Sequence, residues 1–395
     1  MEDKDIIKSE LDNIRELINR RSLNTQKFEV YSSLFKSTSQ KARKKYLKSR
    51  TCAYPNCTSP SIKRSHSISK SNSLKSIADE GHVLQPVLDE FGNNLKLSMM
   101  SIGINKASTF PGYCETHEKL FQQFENWNLQ EKSFVPLQIY RAICREIVHL
   151  EIEVNVIQKL IDIYRSKIRQ EAFKILINNL KKRGINKKIS KLYIEEDDEI
   201  LIQFYYLKND LEIRIDNLKD YSERILNEYI DNTPSKKKTT IDHGVCVDHK
   251  FPVALCGYTS LAYGNTTIKK MLLITNIIPM ENCTYIFCSA GKEHSKFFQN
   301  IIDFYFQSPL TILSFIESFM IHSSDHWFIN PSYWNSFSKM KQEMILSELL
   351  NVDKLITDEF EYSIFDDIRE SILLEYTKHT EQFSKADQVI VEKEK

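Results

Sequence analysis

Two short spacings constrain this chain more than anything else in it. Cys52 and Cys57 stand five apart in RTCAYPNCTSPSIKRSHSISKS (residues 50–71), and Cys114 and His117 stand three apart in GYCETHEKLF (residues 112–121). The stretch from 51 to 73 is rich in serine, carries Pro55 and Pro60, and has little apolar content of its own. A segment of that kind cannot bury enough surface to offset the entropy of ordering it. A metal ion bound by the four residues would supply the missing stabilisation. Structural zinc takes four thiolate or imidazole ligands in a tetrahedron, usually as two close pairs. Pro55 and Asn56 suit a tight turn inside the first pair, and the second pair opens a predicted helix. The C-x4-C…C-x2-H layout predicts a treble-clef-like finger around a structural Zn2+ on Cys52, Cys57, Cys114 and His117.

The rest of the chain bounds the setting. At 395 residues, two or three cores are expected. The N-terminus, MEDKDIIKSELDNIRELINRR, is charged with helical periodicity and lacks the apolar centre of a signal peptide. No apolar run is long enough to span a membrane. The expectation is a cytoplasmic protein, in which eight cysteines are better read as metal ligands and core residues than as a disulfide framework.

Periodicity predicts helices over 4–21 and 25–48, a long one from Val135 to a stop at Gly184, and another over 217–230. Residues 233–240, TPSKKKTT, read as a linker. Beyond it, 251–264, 269–279 and 283–291 read as an antiparallel meander, followed by helices at about 292–306, 309–321, 336–350 and 365–385. The predicted class is α+β, mostly helical, with the zinc module near the N-terminus and a small antiparallel sheet in the C-terminal half. Four parts are expected: 1–50 helical, 51–130 the zinc module, 131–235 helical, and 240–395 an α+β domain. Cys144 reads as core, and Cys246, Cys256, Cys283 and Cys288 as strand or turn residues. The segment HSSDHWFINPSYWNSF (322–337), with two of the three tryptophans, reads as a loop capping the sheet or as an interface wall.

The net charge of +1 hides an uneven distribution. KARKKYLKSR (41–50) carries basic residues and no acid, whereas EEDDE (195–199) is an acidic block. Arg43, Lys44, Lys45 and Lys48, with Lys63 and Arg64, are candidate phosphate contacts. The competing reading is a solvated helix face.

KRSHSIS and CETHE together resemble the zinc-containing HNH endonucleases. That family places a short strand bearing Asp-His after the first cysteine pair, then a loop Asn, then a ligand pair opening a helix. The resemblance covers residues 50–125. It implies that His66 is the general base, that Glu118 holds a catalytic Mg2+ or Mn2+, and that Asn105 orients the base. Three positions depart from the pattern: Ser65 stands where Asp is usual, Glu118 stands where His or Asn is common, and the insertion between the halves is long. His82, in DEGHV, is a second candidate for the role of His66, and His66 itself reads as well as a structural residue as it does as a base, with zinc ligation the lesser alternative. The wider phrasing SHSISKSNSLKSIADEGHV…ASTFPGYCETHEKLF is similar to a group of bacterial proteins with HNH-like zinc modules, some linked to phage defence. The expected function is metal-dependent cleavage of DNA or RNA, with the C-terminal domain contacting a protein partner or a second copy. The alternative is a zinc-scaffolded nucleic-acid-binding or structural protein without catalysis.

Overall fold

A computed structural model describes residues 3–22, 26–48, 50–89, 96–125, 135–185, 199–230, 238–264, 267–351, 354, 356 and 363–378. Contacts group the chain into two units. The first comprises residues 1–49, 89–95 and 149–217; the second comprises 50–88, 96–148 and 218–395.

The first unit is helical. Helices α1 (Asp3–Ser22) and α2 (Gln26–Tyr46) pack with the later part of α4 (Val135–Lys182) and the earlier part of α5 (Glu199–Ile230). The 3.6-residue periodicity of α1 and α4 brings Ile14 against Ala172, Leu176 and Leu180. Around that stripe, buried Glu10 accepts from Asn179 at 2.8 Å and pairs with Arg183 at 2.5 Å. On α2, Phe35 meets the rings of Tyr164 and Phe204. Helix α4 stops where expected: Gly184 takes φ +74°, a left-handed conformation that ends helices at little cost for glycine. The acidic block at 195–198 lies outside the described residues.

The second unit is built on one large sheet. Strands β5 (Thr240–Val247), β6 (Val253–Tyr263), β7 (Lys269–Pro279) and β8 (Thr284–Gly291) include the expected meander, with β5 added along β8 from Thr240↔Gly291 to Val247↔Thr284. On the other side of β6 sits β9 (Trp327–Ile329), then β2 (His82–Asp89) and β3 (Lys96–Gly103). The expected small C-terminal sheet is therefore corrected: it has seven strands, and two of them come from the N-terminal half. The physical reason is β9. Val253↔Ile329 on one side and Leu84↔Ile329 on the other make this three-residue strand the seam that joins the two halves.

Helices α6 (Ser295–Tyr305) and α7 (Pro309–His322) cover one face, packing Phe298, Ile302, Leu313, Ile316 and Phe319 against Leu255, Leu273, Ile277 and Ile286. Full burial of each such side chain contributes about 1.5–3 kcal/mol. The start of α7 is written in the sequence: Ser308 and Thr311 form a reciprocal capping box, with Pro309 at the first helical position. Helices α8 (Pro331–Ser336), α9 (Lys339–Glu348) and α10 (Asp366–Lys378) follow. Segment 322–337 is not a loop: it contains β9 and α8, and Trp327 is fully buried in β9 and donates Nε1–H to the Met320 carbonyl at 3.1 Å.

Every residue of β8 is buried, so its second face is covered as well. There the contacts are polar. Gln138 at the start of α4 donates to Asn276 Oδ1 and to the Ser67 carbonyl, each at 3.0 Å, and the Tyr221 hydroxyl meets Ser289 Oγ at 2.8 Å. A strand buried on both faces reads as a near-continuous apolar run, and residues 271–278 read so except at Thr275 and Asn276, both fully buried.

Candidate metal centre and the histidine beside it

Apart from β2 and β3, which belong to the large sheet, the module within 50–125 is a two-stranded antiparallel sheet and a helix. Strand β1 (Ser65–His66) pairs antiparallel with β4 (Thr109–Phe110), and α3 (Glu115–Glu125) follows. The first cysteine pair is shaped by a turn, with Cys57 N–H donating to the Tyr54 carbonyl at 3.1 Å and Asn56 at φ +59°. Asn tolerates that left-handed conformation. The turn is pinned to the second pair: Ala53 N–H donates to the Gly112 carbonyl at 2.7 Å, and Ile62 N–H to the Tyr113 carbonyl at 2.6 Å. Gly112 is required by close approach, since a Cβ there would fall 2.3 Å from the Phe110 ring.

These contacts bring all four expected ligands together. The ligand atoms of Cys52, Cys57, Cys114 and His117 lie within 4.8 Å of one another. His117 Nδ1 is 3.4 Å from Cys52 Sγ and 3.3 Å from Cys114 Sγ, and Cys57 Sγ is 3.9 Å from Cys114 Sγ. With Zn–S near 2.3 Å, the sulfur–sulfur edge of a zinc tetrahedron is about 3.8 Å. The donor set and its spacing therefore fit a structural Zn2+, which this group can hold. Burial pushes the Cys52 thiol up to about 12. Burial also raises Cys114, but the backbone N–H of His117, a hydrogen bond with Cys52 and the N–H of Thr116 outweigh it and leave that thiol below its usual value. A helix start aims its free N–H groups at such a sulfur. The Tyr54 ring stacks on His117 at 3.9 Å and 10°, fixing the plane of the ligand imidazole. Among the described residues no second group of three such ligands gathers, and the strand cysteines form none.

His66 is half-buried on β1, with Nδ1 3.4 Å from Ser108 Oγ. Burial, then the nearby charge of Arg141, lowers its pKa to about 4, so at neutral pH it is uncharged. Glu118, half-buried on α3, feels the same Arg141 and Glu125 charges as His66. Burial raises its pKa, while a hydrogen bond from Ser65 works the other way. Its Oε2 is buried with no hydrogen-bond partner among the described residues. Ser65, where the resemblance expects Asp, is fully buried and accepts the Tyr113 N–H at 3.1 Å. Asn105 is exposed, and its Oδ1 accepts from Lys70 at 3.2 Å. His82 is exposed at the start of β2, with Nδ1 3.0 Å from the Glu80 carbonyl.

Of the basic residues, Arg43 forms a two-pronged ion pair with Glu153, at 2.7 and 2.9 Å. Lys44, Lys45 and Lys48 are exposed in the first unit, and Lys63 and Arg64 are exposed in the second.

Sequence reading missed the groups that surround His66. Arg141 is fully buried, pairs with Glu125 at 2.5 Å, donates to Gln138 Oε1 at 2.8 Å and lies 5.4 Å from the Phe121 ring centroid. A signal for it existed: Arg141 interrupts the apolar stripe Leu137, Cys144, Val148 at helical spacing. His326 Nε2 meets Ser67 Oγ at 2.9 Å inside the protein, a contact 259 residues apart in sequence that no local pattern announces.

No family model, curated protein or solved structure matches the chain. The Cys3His group thus stands as the site's firmest feature, on its own geometry.

Proposed function

We propose that the chain is a metal-dependent nuclease of HNH-like type, acting on DNA or RNA, with zinc as the scaffold of its treble-clef-like module. The observation that carries this reading is a neutral, half-buried His66 on β1 together with a Glu118 carboxylate oxygen on α3 that is buried and bonded to nothing among the described residues. Both groups lie in the field of Arg141 and Glu125. A buried oxygen of that kind is costly unless something completes it, and a hard divalent cation does so.

In this reading His66 accepts a proton from water as the water oxygen attacks phosphorus. The bond from phosphorus to the leaving oxygen breaks, and that oxygen takes a proton from solvent. Glu118 would hold Mg2+ or Mn2+, which supplies charge neutralisation at the phosphoryl oxygens. Ser65 acts by holding the Tyr113 backbone and Glu118 rather than as a ligand. Lys63 and Arg64, exposed beside β1, are the phosphate contacts nearest in sequence. Antiviral defence is the setting suggested by the resemblance.

A second reading, nucleic-acid binding without cleavage, is favoured by the burial of Ser65, which leaves Glu118 as the only acid of the pattern. One assay separates the two: plasmid DNA and structured RNA incubated with Mg2+ or Mn2+ and wild type, His66→Ala or Glu118→Ala, after zinc retention is checked. Cleavage by wild type alone supports the nuclease. Cleavage that ignores His66, or none with salt-sensitive binding retained, supports the scaffold.

A further inference from the structure

On the far end of the β6–β7 hairpin, away in sequence from the metal module, lies a cavity of about 650 Å³. Its walls include Tyr263, Lys269, His294, Lys296, Phe297 and Asn300. The volume falls inside the range of roughly 300–1,000 Å³ that small-molecule sites occupy. Three features of the wall are chemically specific.

The first is a rigid aromatic plate. Tyr263 and Phe297 stack at 4.2 Å and 9°, both residues are half-buried and both line the cavity, so a further flat ring can extend the stack on an outer face. The Tyr263 hydroxyl lies 2.8 Å from His294 Nδ1, which fixes the plate against rotation.

The second is uncompensated positive charge. Lys269 and Lys296 are exposed at the cavity, and neither has a carboxylate partner among the described residues. The one acid in the wall, Glu293, is already engaged: it pairs with Arg224 at 2.9 Å, and although burial raises its pKa, a backbone hydrogen bond and Arg224 hold the carboxyl below its usual range.

The third is a set of polar groups. Burial lowers the pKa of His294. With Nδ1 taken by Tyr263, its Nε2 lies 3.9 Å from Glu293 Oε1, too far for a hydrogen bond, and has no hydrogen-bond partner among the described residues. Asn300 adds a donor and an acceptor.

A flat ring to cover the plate, an anion to meet two lysines, and hydrogen-bonding edges between them describe one ligand class. We propose that this cavity binds a nucleotide, its base stacked on Tyr263 and Phe297 and its phosphates on Lys269 and Lys296. Sequence-tolerant stacking of bases on aromatic rings and phosphate capture by lysine are separate, well-matched interactions. Two lysines at one cavity suit a free nucleotide better than a strand, which needs a continuous basic track. This site would make the sheet domain a sensor, and the inference stands or falls independently of the nuclease reading.

The test is calorimetric titration of the full chain with ATP, GTP, CTP and UTP, alongside tripolyphosphate. At least one nucleotide should bind saturably, and more tightly than tripolyphosphate. Lys269→Ala with Lys296→Ala should weaken it about tenfold or more, and Phe297→Leu should weaken the nucleotide but leave tripolyphosphate unchanged. The lysine pair is exposed, so that variant keeps its fold even if Phe297→Leu does not. No binding of any of the four nucleotides, equal affinity for tripolyphosphate, or indifference to the lysine substitutions would overturn the proposal.

Discussion

Replacing His66 with Gln should flatten the acid sensitivity of this protein, by an amount the structure fixes. Burial first, then Arg141 and Lys70, hold the folded imidazole at about 4, against 6.5 in the unfolded chain. Above pH 6.5 both states are neutral at this position. Between 6.5 and 4 the unfolded chain takes up a proton that the folded chain refuses, so stability falls as pH falls through that window. Below 4 both are protonated and the term is constant. The full span is about 3 kcal/mol at 1.36 kcal/mol per unit, and about 2 kcal/mol of it is spent by pH 5. His243 and His294 are lowered by burial in the same direction, and zinc ligation is itself acid-sensitive. All three remain in the variant, so the comparison must be a difference. Thermal midpoints of wild type and His66→Gln, measured from pH 7.5 to 5 with zinc present, should converge or cross as pH falls. At roughly 2 °C per kcal/mol for a domain of this size, the relative gain of the variant is about 4 °C. Parallel curves would refute the reasoning, because they would mean that His66 is hydrated and titrates normally.

Three further outcomes are expected. Purified protein should carry about one zinc per chain by elemental analysis, lost in Cys57→Ser and accompanied by a lower thermal midpoint; a metal-free wild type of undiminished stability would contradict the site. Arg141→Met should destabilise by about 3 kcal/mol, at the low end for a broken buried pair, because the Glu125 side chain is 23% exposed and can rehydrate in part; the check is chemical denaturation, with a change under about 1 kcal/mol counting against the pair. Gly112→Ala should cost about 1–3 kcal/mol, since its methyl group would meet the Phe110 ring while Phe110 is itself buried. The same substitution should weaken zinc retention, because the Gly112 carbonyl anchors Ala53 in the cysteine turn, and competition with a chromogenic chelator would report it.

How much of this was legible depended on the range of the interaction. Cys52, Cys57, Cys114 and His117 could be read directly, since each pair is local and the turn and helix start that present them are written in the residues between. Helix α4 and the β6–β8 meander were legible for the same reason: periodicity and turn residues act over a few positions. The seven-stranded sheet was not. Strand β9 is three residues long, below any periodicity, and β2 joins it by a single pairing, Leu84↔Ile329. What selects that pairing is burial of Trp327 and the hydrogen bonds of Asn330 to the Ile77 carbonyl and Asp79, contacts more than 250 residues apart. The surroundings of His66 fall between these extremes. Arg141 broke an apolar stripe and so announced a buried charge, but its partner Glu125 and the Ser67–His326 bond could not be assigned without the fold. This has a consequence for function. The chain after the strand that carries His66 runs into Ser67, whose hydroxyl and carbonyl are held by His326 and Gln138, so the position of the candidate base is set in part by residues outside 50–125. An isolated 50–125 fragment would retain all four metal ligands and still lose the geometry at His66, and zinc binding by such a fragment would say nothing about its chemistry.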